Sequence, residues 1–234
     1  MWAGITPSLA ASHRVIAPDL RGFGESPIPG GDYADATDVL HLLDTLGIER
    51  AVILGASFGG RVALEFAAQY PERVTSLALL CPAYRGLEVT DPAVIEFGGQ
   101  EDELLEAGDI DAAVALNVDV WLGPEASDAV RADVARMQRR AFVVQLAADA
   151  LDPQPQPERV EVDPSAIFVP TLVVSGAHDL THFREIAALL AREIESAVFV
   201  ELDWAGHLPA LERPDETAAL LLQYLANGSV RPIV

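Results

Sequence analysis

The segment AVILGASFGGRVALEFAAQYPERV, Ala51 to Val74, constrains this chain's fold more than any other. It opens on an apolar run, passes through Gly55-Ala56-Ser57-Phe58-Gly59, and continues with apolar residues at helical spacing until Pro71. A strand that hands over to a helix within so few residues needs a sharp turn. Glycines two positions either side of Ser57 are expected to leave room where neighbouring backbone crowds that turn. The helix that follows directs its N-terminal dipole back at the turn, which suits developing negative charge. A bland tight turn is the alternative reading, and the placement of Ser57 between an apolar strand and an amphipathic helix argues against it.

The rest of the chain repeats the same rhythm. His13 to Pro18 (HRVIAP) reads as a strand followed by the turn-rich DLRGFGESPIPGGD. Val39, Leu42, Leu43 and Leu46 fall at helical spacing, with Gly47 as a stop. Ala51–Leu54 reads as a strand, Arg61–Tyr70 as a helix and Val74–Leu80 as a strand. After an interruption come a strand at Thr171–Ser175, a helix near Phe183–Ile194, a strand at Ala197–Leu202 and a helix from Pro214 to Leu225. Short β-branched runs alternating with helices are the pattern of parallel strands joined by crossover helices, an α/β fold with a mostly parallel sheet.

The interruption is itself patterned. Between Ala83 and Pro164 no strand run stands out, whereas EDELLEAG, DIDAAVALNVDVWL and PEASDAVRADVARMQRRAFVVQLAADAL read as helices, with Asp109 and Pro124 as their starts. The return leg DPQPQPERVEVDP is proline-spaced and extended. The expected organisation is an α/β core from 1–82 and 165–234 with a helical cap inserted at 83–164.

Composition narrows the partners. The 15 Lys and Arg against 36 Asp and Glu give a formal net charge of -21, which repels phosphate backbones and anionic lipid, so neither nucleic acid nor membrane is expected. No stretch is long and apolar enough for a bilayer-spanning helix, and the N-terminus lacks the basic start and apolar run of a leader, so a cytoplasmic location is expected. Cys81 is the only cysteine, which excludes an internal disulfide and a thiol metal cluster. GASFGGR lacks the Lys-Ser/Thr ending of a phosphate-binding loop, and His178 and His182 have no evident third metal ligand. Neither a cofactor nor a metal is expected.

A serine hydroxyl is a poor nucleophile unless a base takes its proton and a third group orients that base. Five histidines are available. His13 opens a strand and His41 lies beside a leucine stripe, which leaves His178, His182 and His207. Chain order selects among them. Asp179 follows the strand ending at Ser175, and His207 follows the next strand in WAGHLPALERP, so both emerge at the carboxyl edge that carries Ser57. Asp203 is the rival acid and His178 the rival base.

At these residues the chain resembles the α/β-hydrolase superfamily, through APDLRGFGES, GASFGG, SGAHD and AGHLPALERP in that order. The resemblance implies Ser57 as nucleophile, His207 as general base, Asp179 as its orienter and the Phe58 N–H as an oxyanion donor. LNVDVWLGP is similar to the 3-oxoadipate enol-lactonase branch and its esterase relatives. A serine rather than an aspartate at the elbow points to acyl chemistry through an ester intermediate. A small ester or lactone is the expected substrate, with thioester and carbon-carbon hydrolysis as the alternatives. Phe97, Trp121, Met137 and Phe142 are the apolar residues of the insertion that could line a substrate wall, and packing between helices is the alternative for each. Arg139 and Arg140 could meet a substrate carboxylate or belong to a solvated helix face.

The resemblance also implies strands before Met1, among them one that sits between HRVIAP and AVIL and ends in a His-Gly motif supplying a second oxyanion N–H. On that reading the natural chain is expected to be longer than this sequence. Unpaired strand edges would invite association, so a homo-oligomer is expected for this chain. A hydrolase-like ligand-binding protein with an incomplete oxyanion hole is the alternative function.

Overall fold

The computed structural model describes residues 1–227. Its centre is a parallel sheet of β1 (Ala51–Ala56), β2 (Val74–Leu80), β3 (Thr171–Gly176) and β4 (Ala197–Leu202), in that order. Helices α1 (Thr6–Ala10), α2 (Asp35–Thr45) and α3 (Phe58–Gln69) precede the second strand. Helices α4 (Pro92–Glu106), α5 (Ile110–Trp121) and α6 (Asp128–Asp149) lie between β2 and β3. Helix α7 (Thr181–Glu193) joins β3 to β4, and α8 (Pro209–Glu212) and α9 (Pro214–Asn227) follow.

The central strands β2 and β3 are largely buried on both faces, as parallel strands are, while the edge strands β1 and β4 are half-buried and expose Val52 and Phe199. Along β2 the side chains divide with period two: Leu77 and Leu79 join a core shared with α2, α3 and α7, while Ala78 and Leu80 join a second core shared with α1 and α9. β3 is buried at every position. This stack fixes the carboxyl ends of β1, β3 and β4, from which the candidate residues leave.

Most expected elements form, with small changes of boundary. β2 and β4 match their expected ranges; β1 runs two residues beyond Leu54. Gly47 ends α2 with a φ of +67°, its N–H and that of Ile48 donating back to Asp44 and Leu43. Asp109 caps α5 by accepting from the Ala112 N–H. α6, by contrast, starts at Asp128 rather than Pro124, because the Ser127 hydroxyl accepts from Val130 N–H and provides the cap. The clearest departure is His13 to Pro18, which forms no strand. A strand is completed by its neighbour, and among the described residues none pairs with the outer edge of β1. Val52 on that edge is 38% exposed. No helix among the described residues is long and apolar enough to cross a membrane.

Candidate active site

Ser57 occupies the turn between β1 and α3 with a φ of +50° and ψ of −119°, a conformation costly for any residue with a Cβ. The surrounding hydrogen bonds hold it there. Its N–H donates to Leu80 O at the end of β2, and its carbonyl accepts from Gly60, Arg61 and Ala83. A Cβ on Gly55 would lie 2.2 Å from Gly59 O, and one on Gly60 2.8 Å from Pro82 Cβ, so these two glycines are sterically required. Gly59 differs from the expectation: its nearest neighbour, Leu20 Cδ1, is 3.9 Å away, and a side chain would fit. The Phe58 N–H stands at the first position of α3, where no residue four back in the helix can accept from it.

Ser57 Oγ and His207 Nε2 are 2.8 Å apart, and His207 Nδ1 is 2.7 Å from Asp179 Oδ2. A carboxylate only accepts, which puts the ring proton on Nδ1 and leaves the Nε2 lone pair for the serine O–H. Asp179 Oδ1 also accepts from Leu180 N–H at 2.7 Å, and both Asp179 and His207 are buried. The rivals lie outside this chain of bonds: His178 and Asp203 are exposed, and buried His182 meets the Phe183 ring edge-on at 5.6 Å.

Aromatic rings enclose the imidazole. Trp121 lies 4.6 Å and Phe183 4.4 Å from it, centroid to centroid, and Phe97 packs edge-on against Trp121 at 4.8 Å. Trp121 is held by its indole N–H, which donates to Asn117 Oδ1, and Asn117 in turn donates to Glu101. Phe58 packs against Phe23. Of the four apolar residues picked from the insertion, Trp121 is thus brought to His207, and Phe97 packs on the Trp121 ring. Phe142 is instead buried among Ala113 and Val114, between α5 and α6. Met137 packs with Val118, Leu122, Val134 and Leu208. Arg139 and Arg140 sit on the exposed face of α6, paired with Asp111 and Glu25.

Sequence reasoning missed Phe183, four residues beyond Asp179 at the start of the next helix. It also missed Glu212, although AGHLPALERP contains it. Burial pushes the Glu212 carboxyl above the usual range, opposed by backbone N–H groups of Gly206, Gly123 and Leu208 that donate to it.

Cys81, Asp179 and His207 offer atoms within 4.8 Å of one another, which raises the question of a metal. The donor set does not fit one. Burial, reinforced by the Asp179 charge, drives the Cys81 thiol well above its ordinary pKa, while the metal-binding form is the thiolate. The facing atoms of Asp179 and His207 are already committed to each other.

A strained serine at a strand-to-helix elbow, bonded to a buried histidine and acid from the following strand ends, is the arrangement of a hydrolase core. The chain belongs to the alpha/beta hydrolase fold family. The family model, described as alpha/beta hydrolase fold, matches residues 1–108. A 2-hydroxymuconate semialdehyde hydrolase of Pseudomonas putida is 30% identical over 232 residues, 93% of this chain and 78% of that protein. The enol-lactonase of Burkholderia xenovorans LB400 superposes with a TM-score of 0.75 at 29% identity, over 97% of this chain and 86% of the other. A Pseudomonas aeruginosa hydrolase gives 0.76 at 30% identity, over 96% and 84%. The first curated relatives are matched over only 24% to 34% of their own length.

Proposed function

We propose that this chain is a serine hydrolase that cleaves a small carboxylic ester or lactone through an acyl-enzyme intermediate. The observation that carries the reading is the unbroken hydrogen-bonded line from Ser57 Oγ through His207 to Asp179, presented on a strained turn at the end of β1. In this reading His207 Nε2 takes the Ser57 proton as Oγ attacks the acyl carbon, and Asp179 stabilises the imidazolium that forms. The Phe58 N–H donates to the developing oxyanion. His207 then protonates the leaving alkoxide, and water repeats the sequence to release the acid. Residues 83–164 act as a cap, with Trp121, Phe97 and Phe183 forming an apolar wall beside the base.

The pairing of Arg139 with Asp111 and of Arg140 with Glu25 supports an uncharged substrate, since neither guanidinium is left to meet a carboxylate. A second reading is hydrolysis of an acid such as the one for which the P. putida relative is named, favoured by identity across 93% of this chain.

A fluorophosphonate probe tests the chemistry. Labelling is expected at Ser57 and is expected to vanish in Ser57→Ala; turnover of p-nitrophenyl acetate should fall on the order of 10⁴-fold or more in that variant. A folded wild-type protein that takes no label would instead support the ligand-binding alternative. A panel of neutral esters, lactones and 2-hydroxymuconate semialdehyde separates the two hydrolytic readings by kcat/KM.

A further inference from the structure

Three segments cross behind His207 at closer range than side chains allow. Gly123 ends the stretch after α5, Gly206 precedes the histidine, and Gly176 ends β3. A Cβ on Gly206 would lie 2.4 Å from Gly123 N, and one on Gly176 would lie 1.9 Å from Gly206 O. Glycine is required at each position by this backbone crossing, independently of φ. The crossing then has to be held, because segments without side chains have little to pack.

Glu212 supplies the hold. Its Oε1 accepts from Gly206 N–H at 3.0 Å and Leu208 N–H at 3.2 Å, the residues immediately either side of His207. Its Oε2 accepts from Gly123 N–H at 3.0 Å. A fourth bond runs alongside, from His207 N–H to Trp121 O at 2.8 Å. Charge-assisted bonds from a carboxylate to backbone N–H groups are among the stronger hydrogen bonds a protein makes.

We propose, on the hydrolase reading above, that Glu212 is the positioning residue for His207. It fastens the loop of the base to the exit of α5, so that Trp121 and the imidazole move as one body. Asp179 fixes the ring from Nδ1, and Glu212 fixes the main chain that carries the ring. The inserted helices are tied to the core a second time at Asp91, which accepts from Ala93 N–H at the start of α4 and from His182 N–H in α7. That tether does not touch the base loop, which makes it the control.

Glu212→Gln retains the size of the side chain but turns an amide N–H₂ toward backbone donors, so one side of the bridge is lost. The expected result is a kcat on p-nitrophenyl acetate lower by about ten- to a hundredfold with KM within about threefold, the scale of a small misplacement of a catalytic group. Asp91→Ala should keep kcat within about threefold. Glu212→Gln that keeps wild-type kcat overturns the proposal, and so does an Asp91→Ala loss as large as that of Glu212→Gln, which would mean general loosening. If Glu212→Gln shows no cooperative melt, Glu212→Asp takes its place. It keeps the charge but is one methylene too short to span both glycines, and unchanged kcat again overturns the proposal. Hydrogen exchange separates this idea from the hydrolase reading itself. The amides of Gly123, Gly206 and Leu208 should exchange at least about tenfold faster in the variant even if wild-type Ser57 proves unreactive. Unchanged protection at those amides sinks the staple whatever the enzyme does.

Discussion

The sheet and the helices inserted between its second and third strands are built on different terms. Among the described residues the two cores on either side of the sheet contain fifteen and twelve buried residues, contiguous across strands that are far apart in sequence. The inserted helices α4 to α6 form two clusters of three buried residues each, and expose Ile95, Val143 and Leu146. Three strand ends that must agree to within tenths of an ångström therefore stand on a large packed base. The surface that faces them stands on a small one, tied to the base by a few hydrogen bonds and ion pairs, by the packing of Leu208 and Leu211 against its second cluster, and by the rings around Trp121. In a hydrolase this division puts the invariable chemistry on the rigid half and leaves substrate shape to the half that repacks at low cost.

The largest expected effect tests that difference in stability. Leu172 is fully buried on β3 between α1, α9 and its neighbours. Leu172→Ala should lower the unfolding free energy by about 2 to 5 kcal/mol and shift the whole chain's urea midpoint, because no part of the sheet is independent of β3. Phe142→Ala removes a larger side chain, but from a three-residue cluster that can collapse. It should cost less than the roughly 3 to 5 kcal/mol usual for that change, and lose activity at urea concentrations where far-UV ellipticity is still native. Equal shifts of a single coincident transition would mean that the inserted helices fold as one unit with the sheet, and the contrast would fail.

Specificity sharpens the comparison at smaller scale. Trp121 belongs to the inserted helices yet lies 4.6 Å from the His207 ring. Trp121→Ala should change the ratio of kcat/KM between acetyl and longer acyl esters by about ten- to two-hundredfold, or about 1 to 3 kcal/mol, while moving the midpoint little. Uniform loss across the ester series would show that Trp121 acts only through the base and takes no part in the pocket.

How far these regions were legible in the sequence differs as they do. Strands β2 and β4 could be bounded because each is a short, mostly apolar run between turn residues, and Ser57 was legible because it directly follows such a run; Asp179 and His207 lie three and five residues beyond their strands, and it was chain order that selected them. HRVIAP carries the same local signal and still forms no strand, since composition says what could enter a sheet and not whether a neighbour pairs with it. Helices in the insertion were legible as helices, but which of their apolar residues turn toward His207 was not. Phe142 and Trp121 both fall on amphipathic stretches, and only the crossing of α5 with the base loop separates them. Glu212 was invisible for the same reason: its partners are backbone N–H groups, which leave no mark on residue identity beyond the glycines they require.

The smallest expected effect lies at the seam between the two regions, where residues 160–162 of the return leg line a small cavity together with Arg61, Leu64 and Glu65 of α3. There Glu65 is buried beside Arg61 and Arg85, with N to O distances of 3.4 and 3.6 Å, and its Oε1 has no hydrogen-bond partner. Burial raises the Glu65 carboxyl above its ordinary pKa; Arg61 and then Arg85 pull it down by less, and Asp35 and Glu158 add to the rise. The folded chain therefore keeps a proton that the unfolded chain gives up, across the window from the ordinary glutamate pKa to the raised one. In that window the unfolded state binds fewer protons, so the contribution of Glu65 to stability falls as pH rises and levels off above the raised pKa. Glu65→Gln cannot titrate and lacks this fall, while every other carboxylate is common to both proteins and cancels in the difference. Urea midpoints measured from about pH 4 to about pH 8 should show the wild type losing ground to Glu65→Gln as pH rises. If the wild type gains on the variant instead, the two arginines outweigh burial, and the seam is held by ion pairs rather than merely tolerating a buried charge.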